Sequence, residues 1–230
     1  MAKDAILFLR EHSVDTPEVY IGFYGGEPLL EFDMLEELVL FAEKELAGKK
    51  INYTLTTNAV LLTDRIIEFF IQHHIDIMIS LDGSKESHDR NRVFAATGKG
   101  TFDSIIHKLQ EISVKYPAYF KKTTINMVMD PSVDFDEYTA LFKQYPFMKK
   151  VNVMPKNLCT PIFSSQNSAL KEIASIVSER DQLPQKAVPS GPCVPGEVRL
   201  MVTVEGKFIL CERVSVMSDP MCIGNIKDGV

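Results

Sequence analysis

At 230 residues, 45% hydrophobic and 24% charged, the chain has the composition of a globular protein with enough apolar content for a substantial core. A net charge of −6, with 25 basic residues scattered along the chain, excludes a broad phosphate-binding surface, so nucleic acid is not an expected partner. No apolar run approaches the ~20 residues that span a bilayer, and Met1-Ala2-Lys3-Asp4 has no basic-then-apolar signal pattern. The expectation is a cytoplasmic protein without a membrane partner.

In chain order, Ala5, Ile6 and Leu9 give the stretch Met1 to Glu11 a helical face, and Glu18 to Tyr24 is a short β-rich run. From Phe32, the positions Phe32, Leu35, Val39, Ala42 and Leu46 follow a helical period, which Gly48 stops. Ile51 to Thr57 reads as a strand, and Ile66, Phe69, Phe70 and His73 mark the next helix. Ile75 to Leu81 reads as an apolar strand buried on both faces. An irregular connection is expected from Asp82 to Gly100, then a helix through Phe102, Ile105, Ile106, Leu109 and Ile112. A strand from Thr123 to Met129, a helix from Phe135 to Phe142, a strand from Val151 to Met154 and a helix from Ser168 to Ser178 follow. Strands alternating with helices predict βαβ units and a parallel sheet; since the chain opens on a helix, a first strand is expected to be missing. Between Leu183 and Gly196 four prolines read as a linker. Arg199 to Val204 and Lys207 to Cys211 flank Glu205-Gly206, a two-residue hairpin signal, and no further element is expected. The predicted division is 1–182 and 183–230.

Polar groups gather where strands end, the side on which parallel α/β folds bind ligands. Tyr24-Gly25-Gly26-Glu27-Pro28 could let a ligand lie against the backbone, with Glu27 accepting from an ammonium group, or could be a tight turn with Pro28 opening a helix. Thr56-Thr57-Asn58 could orient a polar ligand or cap the following helix. Ser80 and Asp82 leave the most apolar strand and are costly to bury unpaired. His88-Asp89-Arg90-Asn91-Arg92 is either a salt-bridged loop or places Arg92 to grip a carboxylate. Taken together, these groups outline a pocket for a zwitterionic, ribose-bearing ligand. Asn126 and Asp130 are further pocket candidates, although a turn at Asp130-Pro131 explains the latter as well. The neighbouring His73 and His74 point about 100° apart on a helix, so they read as helix-end residues and not as a metal pair.

The ordered set FYGGEPLL at 23–30, TTNAVLLT at 56–63 and ISLDGS, HDRNR and GKGTFDSI within 79–106 resembles the radical S-adenosylmethionine (SAM) family. The resemblance is to the branch with a C-terminal SPASM extension, which includes anaerobic sulfatase maturases and ribosomal-peptide maturases. It implies a partial (β/α)6 barrel lacking its first strand, followed by the start of a SPASM segment with a β-hairpin. By that resemblance Gly25, Gly26 and Glu27 would hold the amino group of SAM, Ser80 its ribose and Arg92 its carboxylate. Asn58 would occupy the end of the family's Thr-Asn-Gly strand, with Ala59 in place of the glycine. Of the four cysteines, Cys193 and Cys211, with Gly206 between them, match the opening of the SPASM pattern; they would be auxiliary [4Fe–4S] ligands in a full-length parent and free thiols here. Gly224-Asn225-Ile226 and Gly229 match the segment that follows, while Cys159 and Cys222 receive no role.

The family's C-x3-C-x2-C loop, which binds the catalytic [4Fe–4S] cluster, occurs nowhere in these residues. The expectation is therefore a fragment, inactive alone and binding no cluster itself. Its parent would generate a 5′-deoxyadenosyl radical from SAM to oxidise or cross-link a peptide or protein side chain. The alternatives are a non-catalytic barrel that docks a peptide, and an unrelated barrel enzyme using Glu27, Asp82 or His88 as acid/base groups. The open edge of the Tyr20 strand is a candidate for pairing with a second copy in a homodimer.

Overall fold

The computed structural model describes residues 1–129, 135–157, 200–209 and 222–228. Helix α1 (Ala2–His12) leads into strand β1 (Glu18–Phe23), helix α2 (Phe32–Glu45), strand β2 (Lys50–Thr57), helix α3 (Asp64–Gln72) and strand β3 (Ile75–Ser80). Helices α4 (Lys85–Asn91), α5 (Phe102–Lys115) and the single turn α6 (Pro117–Phe120) precede strand β4 (Thr124–Met129), helix α7 (Phe135–Gln144) and strand β5 (Asn152–Asn157). Three short strands follow, β6 (Met201–Val202), β7 (Lys207–Ile209) and β8 (Cys222–Asn225). The first five strands form one sheet in sequence order, and β2/β3, β3/β4 and β4/β5 pair in parallel. A strand order that follows the sequence without reversing is that of a (β/α) barrel wall, not of a doubly wound sheet with a switch point. The α/β expectation holds.

The chain divides into two compact units, one of Tyr20–Phe32 and Asn52–Leu183, the other of Met1–Val19, Asp33–Ile51 and Pro184–Val230. In the first, strand alternation makes the two sheet faces chemically different. Tyr53, Leu55, Ile75, Ile77, Ile79, Ile125 and Met127 are buried on one face. Each such side chain contributes roughly 1.5–3 kcal/mol relative to an exposed one. The opposite face carries Thr54 in register with Asp76, Thr56 with Met78, Met78 with Thr124, and Ser80 with Asn126. Thus β3 is not buried on both faces, although its richness in isoleucine suggests that it should be. Its sequence IDIMIS alternates, with Asp76 exposed and Met78 half-buried. Period two outweighs composition here.

Helix ends are set locally. Thr63 caps α3 by accepting from the Ile66 N–H at 3.4 Å, and the helix closes at His73 with His74 in the left-handed region, φ 54°. The connection expected to be irregular from Asp82 to Gly100 contains α4 instead, started by Ser84 accepting from the Ser87 N–H at 3.2 Å. A tight turn follows, in which the Phe94 N–H donates to the Lys99 carbonyl at 2.8 Å. The sequence KESHDRN has no apolar stripe, so periodicity misses this helix; its cap and its buried Ser87 and His88 hold it.

In the second unit, Lys49 donates to the carbonyls of Ser13 and Thr16, closing the turn after α1, and Arg10 pairs with Glu45. Strands β6 and β7 form the expected hairpin; four residues lie between them, but the Thr203 N–H donates to the Lys207 carbonyl at 3.0 Å and so leaves a three-residue loop, Val204 to Gly206. Gly206 adopts φ 78° and its N–H donates to the Thr203 carbonyl at 2.9 Å, the turn-plus-bulge geometry that this loop length favours. A third strand, β8, pairs antiparallel with β7, where no further element was expected. The predicted helix at Ser168–Ser178, the proline-rich linker with the 182/183 boundary, Asp130, Cys159, Cys193, Cys211 and Gly229 lie outside the described residues.

Candidate functional site

Glu27 follows β1 and is the most firmly held carboxylate of the strand ends. Its Oε1 accepts from the Thr57 hydroxyl at 2.7 Å and from the Leu29 N–H at 3.1 Å, and its Oε2 accepts from the Asn58 N–H at 2.7 Å. Glu27 is thereby the cap of the turn Pro28–Glu31 and the tie between the ends of β1 and β2. The turn reading of GGEP holds: Pro28 opens the turn, and Glu27 is fixed at the sheet's carboxyl end. The preceding glycines face open space. A Cβ on either Gly25 or Gly26 would have no neighbour within 4 Å, so nothing in the described residues crowds that backbone. At Gly25, φ 152° also selects glycine; at Gly26 no such constraint exists, and close approach of a ligand is what a glycine there permits.

Thr57 is buried, and its hydroxyl also accepts from the Ala59 N–H at 2.9 Å. It orients Glu27 and not a ligand, a role that the sequence does not reveal although the residue stands beside the candidate Asn58. The Asn58 Oδ1 accepts from the Val60 N–H at 3.0 Å, which turns the chain away from the strand. Ala59 sits at φ 63°, fully buried. A left-handed residue at this position explains why glycine suits it, and Ala59 adopts the conformation at a cost of roughly 1–2 kcal/mol.

At the end of β3, Ser80 is buried beside Asn126, whose Oδ1 is buried without a hydrogen-bond partner among the described residues. An orphaned acceptor of this kind costs about 1–3 kcal/mol unless a donor meets it. Next comes Asp82, which joins three segments. Its Oδ1 accepts from the Val128 N–H of β4 at 3.0 Å, its Oδ2 accepts from Arg92 Nε at 2.5 Å, and its own N–H donates to His88 Nδ1 at 3.2 Å. Arg92 is therefore ion-paired with Asp82, and 31% of its side chain remains exposed. His88 is fully buried, with Nε2 at 2.9 Å from the Thr101 hydroxyl. Burial holds its pKa below the usual imidazole range, with the Arg92 charge adding to that effect and Asp82 and Asp89 opposing it. With both ring nitrogens engaged and no exposed surface, His88 is unsuited to the acid/base role considered from sequence.

The structure thus ties Glu27 to Asn58 and joins Asp82, His88 and Arg92, while Ser80 lies in register with Asn126. Roofing this loop, Asp89 accepts from the Phe102 N–H at 2.9 Å, at the start of α5. A Cβ on Gly100 would lie 1.9 Å from the Asp89 carboxyl carbon, which explains the second glycine of GKG. The arrangement offers an anchored anion, open glycine backbone, a part-exposed guanidinium, and amide and hydroxyl groups. That set suits a zwitterion carrying further polar groups.

Comparison with known proteins identifies the family and supports the fold. The radical SAM superfamily profile matches residues 3–144. An uncharacterized protein of Methanocaldococcus jannaschii is 28% identical over 233 residues, covering 99% of this chain and 78% of that protein. A cysteine-type anaerobic sulfatase-maturating enzyme of Clostridium novyi is 30% identical over 130 residues, covering 56% of this chain; the match spans only 32% of that enzyme's length. Among solved structures, native anSMEcpe with bound AdoMet and Kp18Cys peptide superposes with a TM-score of 0.74 over 99% of this chain and 68% of its own, at 18% identity. With more than half of its residues matched by that profile, and with the strand order of a barrel wall, the chain belongs to the radical SAM superfamily.

Proposed function

We propose that this chain forms the SAM cradle of an enzyme that modifies a peptide or protein side chain. The observation that carries the reading is Glu27, locked by three hydrogen bonds beside two glycines whose outer face is open. In this reading the amino group of SAM lies against Gly25, Gly26 and Glu27. Asn58 and Ser80 contact its polar middle, and Arg92 takes its carboxylate. When bound to a reduced [4Fe–4S] cluster, SAM supplies one-electron chemistry that ends in hydrogen-atom abstraction from a substrate. The four cysteines present do not have C-x3-C-x2-C spacing, so the residues of this chain do not provide that cluster's ligands. Cys193 and Cys211 are proposed as auxiliary-cluster ligands in the complete protein. The peptide or protein substrate class is supported by similarity to a sulfatase-maturating enzyme and to a structure holding a peptide. No helix among the described residues is long and apolar enough to cross a membrane, and a cytoplasmic location is proposed. Pairing of two copies along the β1 edge is proposed as well.

The test uses the product of the complete gene, reconstituted anaerobically with iron and sulfide. Given SAM and a strong reductant, it should release 5′-deoxyadenosine, and Glu27→Ala should abolish both that release and SAM binding measured by equilibrium dialysis. Full SAM affinity in Glu27→Ala would refute the assignment.

A further inference from the structure

The loop after β3 closes a ring of hydrogen bonds whose direction is fixed at every step. The Asp82 backbone N–H can only donate, so His88 Nδ1, 3.2 Å away, must accept. The imidazole proton then sits on Nε2 and is donated to the Thr101 hydroxyl at 2.9 Å. That hydroxyl in turn donates to the Arg92 carbonyl at 3.2 Å, which also accepts from the Thr101 N–H at 3.2 Å. The Arg92 N–H donates to the His88 carbonyl at 3.0 Å, and its side chain returns to Asp82 through Nε at 2.5 Å. Both the backbone and the base of the guanidinium are clamped. Its two terminal nitrogens make no hydrogen bond among the described residues, and they form the edge that matches a carboxylate bidentately.

Resting on the SAM reading above, we propose that Asp82 and His88 are positioning residues that hold Arg92 end-on to the carboxylate of the bound cofactor. Two effects of Asp82 oppose each other. Its charge beside Arg92 repels an incoming carboxylate, which alone would weaken binding. Its hold on Nε removes the rotamer freedom that a bidentate contact otherwise has to freeze, and it directs the free edge outward. The proposal is that positioning outweighs repulsion. Asp82→Asn weighs the two by the sign of the net change, because it removes repulsion and grip together while the amide oxygen still accepts from the Val128 N–H.

Equilibrium dialysis of the reconstituted complete gene product with SAM, and with decarboxylated SAM that lacks the carboxylate, reads this directly. Arg92→Ala should weaken SAM by about tenfold or more and leave the decarboxylated analogue unchanged. Asp82→Asn and His88→Gln should each weaken SAM by roughly three- to tenfold, again without moving the analogue. Tighter or unchanged SAM binding in Asp82→Asn, with Arg92→Ala still defective, would overturn the positioning role and leave the cradle standing. Equal loss of both ligands in Asp82→Asn and His88→Gln would show a merely structural role and overturn it too. If Arg92→Ala itself binds SAM normally, the assignment of Arg92 to the carboxylate fails, and positioning fails with it.

Discussion

The structural contacts of Glu27, beside its proposed ligand role, predict how it responds to mutation. All three of its hydrogen-bond partners are donors, two backbone N–H groups and the Thr57 hydroxyl. Glu27→Gln presents an NH2 group to at least one of them, so a donor faces a donor in a half-buried site. The expected loss is about 1–3 kcal/mol of folding stability even without ligand, read as a lower urea midpoint at unchanged slope. A residue that only awaited a ligand would show no such loss. Ala59 makes a second case. At φ 63° and with no exposed surface, it has neither the backbone freedom of glycine nor room for a larger side chain. Ala59→Gly trades relief of left-handed strain against lost burial and should shift stability by under ~1 kcal/mol. Ala59→Val adds β-branching to the strained backbone and extra volume to a packed site, and should cost more than ~2 kcal/mol in the same urea experiment.

Helix α3 shows what a terminus can gain. Its chain reverses through His74, exposed and left-handed at the position where glycine is usual. His74→Gly should therefore raise stability by roughly 0.5–1 kcal/mol, seen as a higher melting temperature; a fall would mean that the imidazole makes a contact worth more than the strain. Elements of this kind are readable in the sequence because they carry their own period. Ile66, Ile67, Phe69 and Phe70 form a buried stripe on α3, and Ile75, Ile77 and Ile79 alternate on β3. Helix α4 is not readable, since it is polar throughout and depends on the Ser84 cap and on Glu137, which accepts from Ser84 and from Ser87 at 2.8 Å. Strand β8 is not readable either. Four residues long, it is a strand only because β7 lies beside it, with Phe208 opposite Gly224.

Across the molecule, the proposed cradle is legible in the sequence as a set of motifs and illegible as a network. GGEP, Ser80 and Arg92 can be placed by order and spacing, but nothing local to His88 shows that it is fully buried, or that Asp82 and Arg92 meet across ten residues of chain. That burial couples one side chain to global stability. The folded state holds His88 neutral, because Nδ1 must accept from the Asp82 N–H and because desolvation disfavours the charge. In the unfolded chain it titrates near its ordinary value of about 6.5. Above about pH 7 both states are neutral at this residue, and it contributes no pH dependence. As pH falls below about 6.5 the unfolded state binds a proton that the folded state refuses, so stability declines by up to ~1.4 kcal/mol per pH unit until the folded pKa is reached. His88→Gln lowers stability at every pH through its lost packing and hydrogen bonds, yet it should flatten this acid-side slope. Urea midpoints at pH 7.5, 6.5 and 5.5 for the two proteins give the comparison. Parallel declines below pH 6.5 would assign the slope to other groups and contradict a buried neutral His88. A flatter curve for His88→Gln would show that the ring closing the Arg92 clamp stays neutral in the folded state.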